Sequence, residues 1–245
     1  MRSRPRVLNA LIAVLFMIGS ACFALGTVPA YISAVGGVAD AITYFVGSIF
    51  FTSASFCQLL QAQSPDMVAN PAHENGWRGM LVVRAWLPHD TGWLAAGTQF
   101  PGTLAFNIST LFAVSTELTA HQAHQLVWVP DFVGSILFLV SSWFAILAVG
   151  PVLEIESRLI TWQVAWLNMI GSIFFMMSAI GSYVLPASSR EIDARWATLG
   201  TALGALCFFA GAALMFPEWH QEIRISETHG PDGGITPVAD AAGAE

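Results

Sequence analysis

Lysine is missing from the 245-residue chain; all nine basic residues are arginine. A retinal or pyridoxal cofactor is normally held as a Schiff base on a lysine amine, so both are excluded before any fold is considered. A phosphate loop ending in Gly-Lys-Ser/Thr is excluded for the same reason. Charge of either sign is scarce. Asp, Glu, Lys and Arg make up 10% of the chain, against about 25% in an average soluble protein. With a mean hydropathy of +0.63, so few charges cannot keep a globule of this size in water. The three cysteines, Cys22, Cys57 and Cys207, have no CxxC spacing and sit in or beside apolar runs. They read as small hydrophobes, with no disulfide framework. No GxSxG, HExxH or strand-associated GxGxxG motif occurs, and no basic stripe suits nucleic acid.

What the chain does have is apolar length. Crossing about 30 Å of hydrocarbon takes roughly 20 residues of helix. Six segments qualify, at about 7–28, 39–61, 93–115, 130–150, 162–185 and 196–216. The expected fold is therefore all-α: a compact six-span membrane bundle over 1–216. Residues 217–245 carry six acids and one base and are Gly/Pro/Ala-rich, which predicts an acidic, flexible tail. The first span is longer than a signal-peptide core and is expected to be retained.

Arginine sets the orientation. With the N-terminus inside, Arg2, Arg4, Arg6, Arg78, Arg84, Arg158 and Arg224 fall on inner segments and only Arg190 and Arg195 on outer ones. That asymmetry predicts both termini in the cytoplasm. The inner loop 63–92 mixes Trp77, Met80, Leu81, Trp86 and Leu87 with Arg78 and Arg84; it reads as a segment lying on the membrane surface, or as a loop with aromatic anchors.

A repeat runs through the spans. Their cores read Met17-Ile18-Gly19-Ser20-Ala21-Cys22-Phe23, Phe45-Val46-Gly47-Ser48-Ile49-Phe50-Phe51, Phe132-Val133-Gly134-Ser135-Ile136-Leu137-Phe138 and Met169-Ile170-Gly171-Ser172-Ile173-Phe174-Phe175. Gly102-Thr103 with Phe106 and Gly204-Ala205 with Phe208 complete the set. Seven and eight residues after each glycine the side chains are small again: Gly26-Thr27, Ala54-Ser55, Ser109-Thr110, Ser141-Ser142, Ser178-Ala179 and Gly211-Ala212. Residues seven apart share a helix face within about 20°, so each span offers two small patches with a phenylalanine between them. Small faces let helices approach closely in lipid. Gly19, Gly47, Gly102, Gly134, Gly171 and Gly204 are the expected packing positions.

The run from Phe45 to Phe51, continuing through Phe56-Cys57-Gln58-Leu59-Leu60-Gln61-Ala62, resembles the core of the YrhK-like domain, a bacterial membrane domain of helix pairs. Gly102 to Asn107 and Trp128 to Ser142 are similar to its longer members, and the likeness spans 7–216. It implies a bacterial inner membrane protein. The family has no assigned activity, so it implies no catalytic residues.

Three functional readings follow. One is a non-enzymatic membrane protein that packs, oligomerises or docks a membrane partner, with lipid as its surroundings and no cofactor. A second is a transporter or channel for a small solute or proton, lined by a polar stripe of Gln99, Thr103, Asn107 and Thr110 facing Asp131 and Asn168. The third is a metal-dependent membrane enzyme using Glu117, His121 and His124, which share a face if the third span's helix continues into the loop.

Overall fold

The computed structural model describes residues 4–63, 86–150, 160–185 and 190–228. Most of the segment 63–92 and the last part of the tail lie outside them, as do Arg78, Arg84 and Arg158. The elements are α1 (Arg4–Gly26), α2 (Pro29–Val35), α3 (Gly37–Ala62), α4 (Thr91–Ala113), α5 (Ala120–Ala123), a π-helical turn (His124–Trp128), α6 (Val129–Val149), α7 (Ile160–Gly181) and α8 (Ala194–Thr228). A two-residue antiparallel hairpin, β1 (Val184–Leu185) with β2 (Arg190–Glu191), joins α7 to α8. Among the described residues the fold is all-helical apart from this hairpin. Five of the helices, α4 not among them, are long and apolar enough to cross a membrane. The apolar character of α4 is diluted by Gln99, Asn107, three glycines and four threonines.

The six long helices close into a ring in chain order, α1 packing on α3, α3 on α4, α4 on α6, α6 on α7, α7 on α8 and α8 back on α1. Neighbours run antiparallel: Gln61 near the end of α3 donates to Asn9 near the start of α1, and Ser141 late in α6 donates to the Ala95 carbonyl early in α4 at 2.8 Å. One end of the ring, the N-terminal face, thus holds the starts of α1, α4 and α7 and the ends of α3 and α6.

Three of the six contacts are glycine-to-glycine seams. A Cβ built on Gly19 would lie 2.8 Å from the Phe51 ring and 2.9 Å from the Gly47 carbonyl, and one on Gly47 would lie 2.9 Å from Phe23. Gly102 and Gly134 face Phe138 and Phe106 in the same reciprocal way, and Gly171 and Gly204 face Phe208 and Phe175. Each pair makes a hairpin: α1/α3, α4/α6 and α7/α8. A side chain at any of these glycines would push the backbones apart, which is why the smallest residue stands there.

Positions one and eight after the glycine serve a different contact, the one between hairpins. Ser48 and Thr110 hydroxyls lie 2.9 Å apart across α3/α4, and Ser142 and Ser172 lie 2.8 Å apart across α6/α7. On α8 these positions are Ala205 and Ala212, and the Ser20 hydroxyl on α1 is buried with no protein partner. The third hairpin contact is therefore the least hydrogen-bonded.

The fourth position after the glycine points to the axis. Phe23, Phe51, Phe106, Phe138, Phe175 and Phe208 form one buried cluster. Phe138, 2% exposed, touches the rings of Phe51, Phe106, Phe175 and Phe208 at centroid distances of 5.1–6.5 Å. The remaining faces carry Leu11, Ile49, Ile108, Ile136, Ile173 and Leu206 outward, the last 55% exposed. Small and hydroxyl groups inside with aliphatic groups outside is the arrangement expected where the surroundings are hydrocarbon.

One helix end differs from expectation. Helix α8 does not stop near Pro217 but continues to Thr228. Proline removes one backbone hydrogen bond, and the following Glu, Gln and Arg residues favour helix strongly enough to continue it. Between α2 and α3, Gly36, at φ +83°, lets one helix turn directly into the next, a conformation costly for any residue with a Cβ.

Candidate functional site

A cavity of about 210 Å³ lies between the phenylalanine cluster and the N-terminal face. All six long helices contribute to it, from Phe208 at the cluster to Val149 and Thr161 at the helix ends. It is axial, and the repeat explains its lining. Three residues before the glycine stand Phe16, Gln99 and Asn168 on α1, α4 and α7. Eleven residues after it stand Gln58, Ala145 and Met215 on α3, α6 and α8. All six line the cavity. About two turns beyond the phenylalanines, the same register therefore generates a second ring, half of it carboxamide.

The amides are differently held. The Gln99 carbonyl oxygen is 3.5 Å from the Ser141 hydroxyl, which gives its stronger hydrogen bond to the Ala95 carbonyl. The Gln58 Oε1 atom is buried without a protein partner. The Asn168 Oδ1 atom lies where a Cβ on Gly211 would come within 3.1 Å of it, so Gly211 makes room for the amide. Among the described residues, none that lines the cavity is ionisable.

Of the polar residues expected to share a lining, Gln99 and Asn168 come together here. Asn107 and Asp131 do not. Asn107 donates to Thr52 on α3 at 2.8 Å; eight positions of helix turn it about 80° away from Gln99, toward the neighbouring helix instead of the axis. Asp131 occupies the first turn of α6, whereas the cavity takes the last turns, roughly 20 Å away along the helix. Gln58 was missed because it lies beyond the recognised core of its span. Counting eleven from Gly47 would have found it.

No family model, curated protein or solved structure matches the chain.

The three residues expected to bind metal are separated by a helix boundary. Helix α4 ends at Ala113, and Thr119 opens a new helix through a reciprocal capping box with Gln122. Glu117 thus lies outside the helix that carries His121, and the shared face does not form. His124 instead stacks on Trp128 at 5.1 Å and meets the edge of Tyr183 at 5.8 Å. Among the described residues no three His, Cys, Asp or Glu side chains are placed to hold a metal ion. Trp128 donates to the Ala179 carbonyl at 2.8 Å and stacks on Phe132 at 5.0 Å, so this aromatic cluster ties the π-helical turn to α7.

Proposed function

We propose that the chain is a six-span integral membrane protein, non-enzymatic, which acts through packing and interaction. The observation that carries this reading is the six-phenylalanine cluster filling the axis. A bundle blocked at its centre has no continuous path, and its specialised surfaces are helix seams rather than a reaction site. A sixth span at α4 is supported by its 23-residue length, its lack of charge and its position between α3 and α6 in the ring. Gln99 and Asn107 engage protein neighbours, which lowers the cost of their polarity in lipid.

The arginine distribution and the likeness to YrhK-like domains favour a bacterial inner membrane with both termini cytoplasmic. Span parity tests this. Reporters fused at the two termini of the full chain will lie on the same side of the membrane for six spans and on opposite sides for five. Opposite sides would end the six-span reading. Interaction through the lipid-facing surface, with a second copy or a membrane partner, is measured by mass in mild detergent.

A second reading, passage of a small solute or proton, is favoured by the half-amide ring at the cavity. Tyr44, Asp131 and Thr201 also stand three residues before the glycines of α3, α6 and α8, on the far side of the phenylalanines. In that reading the aromatic layer is a gate. Proteoliposome flux that is present and falls with Asn168→Leu supports it; absent flux, or flux indifferent to that change, counts against it.

A further inference from the structure

We propose that the axial cavity is a binding site for an uncharged six-membered ring carrying a hydroxyl group, a phenol in chemical class. The proposal rests on the cavity's lining and goes beyond the packing role; it stands whether or not the axis conducts.

Size sets the first limit. An apolar cavity of about 150 Å³ accommodates benzene, and this one measures about 210 Å³. A ring with one or two substituents fits, and a drug-sized molecule does not. Charge sets the second limit. Among the described residues the lining holds no ionisable side chain, so a charged ligand would be buried there without a counter-charge. Hydrogen bonding sets the third. The amide oxygen of Gln58 is buried without a protein partner, and rotation of this lining side chain would let a ligand hydroxyl supply the missing donor. The Gln99 oxygen is held only by a long contact with Ser141. The amides of Gln99 and Asn168 also line the cavity and each carries donors, so a hydroxyl, both donor and acceptor, matches the set better than a pure acceptor. Shape is the last limit. Phe208 bounds the end at the aromatic cluster, and Phe16, Ala145, Val164 and Met215 add apolar wall beside the amides, a lining suited to an aromatic face.

The ring has two sources, a free solute or the head of a membrane lipid with a hydrocarbon tail. The recognised chemistry is the same.

The experiment is a ¹⁹F NMR titration of the purified full chain in lipid nanodiscs. The probe is 4-fluorophenol, with fluorobenzene and 4-fluorobenzoate as controls and empty nanodiscs to subtract partitioning. Saturable one-to-one binding of 4-fluorophenol is expected, at least tenfold tighter than fluorobenzene, with no saturable binding of the benzoate. Gln99→Leu and Asn168→Leu should each weaken it at least tenfold. Gly211→Ala should weaken it as well by displacing the Asn168 amide, while Asn107→Leu should leave it unchanged. Gel filtration and thermal unfolding establish that each variant is folded, and any one folded cavity variant suffices. No saturable binding by the wild-type chain would overturn the proposal. So would equal affinity for fluorobenzene, or cavity variants that bind as the wild type does. Competition by 4-dodecylphenol assigns the source: displacement tighter than by phenol itself marks a lipid-borne ring, and weaker displacement marks a free one. Proteoliposome flux is measured separately, so leakage would remove the sealed-bundle reading without touching this one.

Discussion

Gly204 concentrates the physics of the whole molecule at one backbone position. A Cβ there would sit 2.7 Å from the Phe175 ring and 3.0 Å from the Gly171 carbonyl. The ring can tilt but the carbonyl belongs to a helix backbone. Overpacking of this kind costs about 1–3 kcal/mol, against a gain in helix propensity of up to about 1 kcal/mol for Gly→Ala. Gly204→Ala is therefore expected to lower stability, measured by thermal unfolding in mild detergent. Gly37→Ala is the matched control, since nothing lies within 4 Å of a Cβ there, and it should be neutral or stabilising. Equal effects at the two sites would show that the seam is not tight. Phe138→Ala should be more damaging, by about 3 kcal/mol or more, because its four ring neighbours cannot all collapse into the vacated volume. Leu206→Ala, on the outward face, should cost far less, and an equal cost would place Leu206 in a packed core.

At the scale of elements, the chain behaves as three glycine-seamed hairpins joined by hydroxyl pairs. A double-mutant cycle on Ser48 and Thr110 is expected to return a coupling of roughly 0.6 kcal/mol, with about 1.7 as the upper end seen for interhelical bonds in membranes. A coupling indistinguishable from zero would mean that the 2.9 Å contact does not hold the hairpins together. The rods themselves were readable in the sequence because hydrocarbon thickness imposes a length, and α1, α3, α4, α6 and α7 begin and end within a few residues of the predicted spans. The inward register was readable too, since Gly, Ser and Phe recur at fixed offsets. Element ends were harder to read. The end of α4 at Ala113 and the fresh start at Thr119 depend on a local cap, which an apolar pattern does not record. The continuation of α8 through Pro217 depends on propensities that a composition shift obscures. The stripe from Gln99 to Asn107 failed for a geometric reason. Steps of four accumulate rotation, and by the second step the side chain faces a different neighbour.

For the whole molecule, three hairpins around one axis create two kinds of space. The middle is filled by six phenylalanines, and the N-terminal side opens into a cavity of about 210 Å³. The cavity was half legible: two of its amides, Gln99 and Asn168, stand in the sequence as candidates, while Gln58 needed the register extended past its span's core. Its axial position could not be read, because no single helix reveals which of its faces meets five others. If the phenylalanines close the axis, Phe138→Ala in proteoliposomes should raise passive leakage of a small neutral solute above that of the wild-type chain, provided the variant remains folded. Leakage that is already high and unchanged by this substitution would mean that the aromatic layer is not the seal.

The central claim, that the small-residue faces turn inward and meet each other, is tested most directly by pairwise cross-linking in native membranes. Starting from a chain with Cys22, Cys57 and Cys207 replaced, Ser142→Cys with Ser172→Cys is compared with Ile136→Cys with Ile173→Cys under a mild oxidant. The hydroxyls of the first pair are 2.8 Å apart and both residues of the second face outward. Rapid cross-linking within one chain for the serine pair, and none for the isoleucine pair, is the predicted result. The reverse pattern would contradict the account.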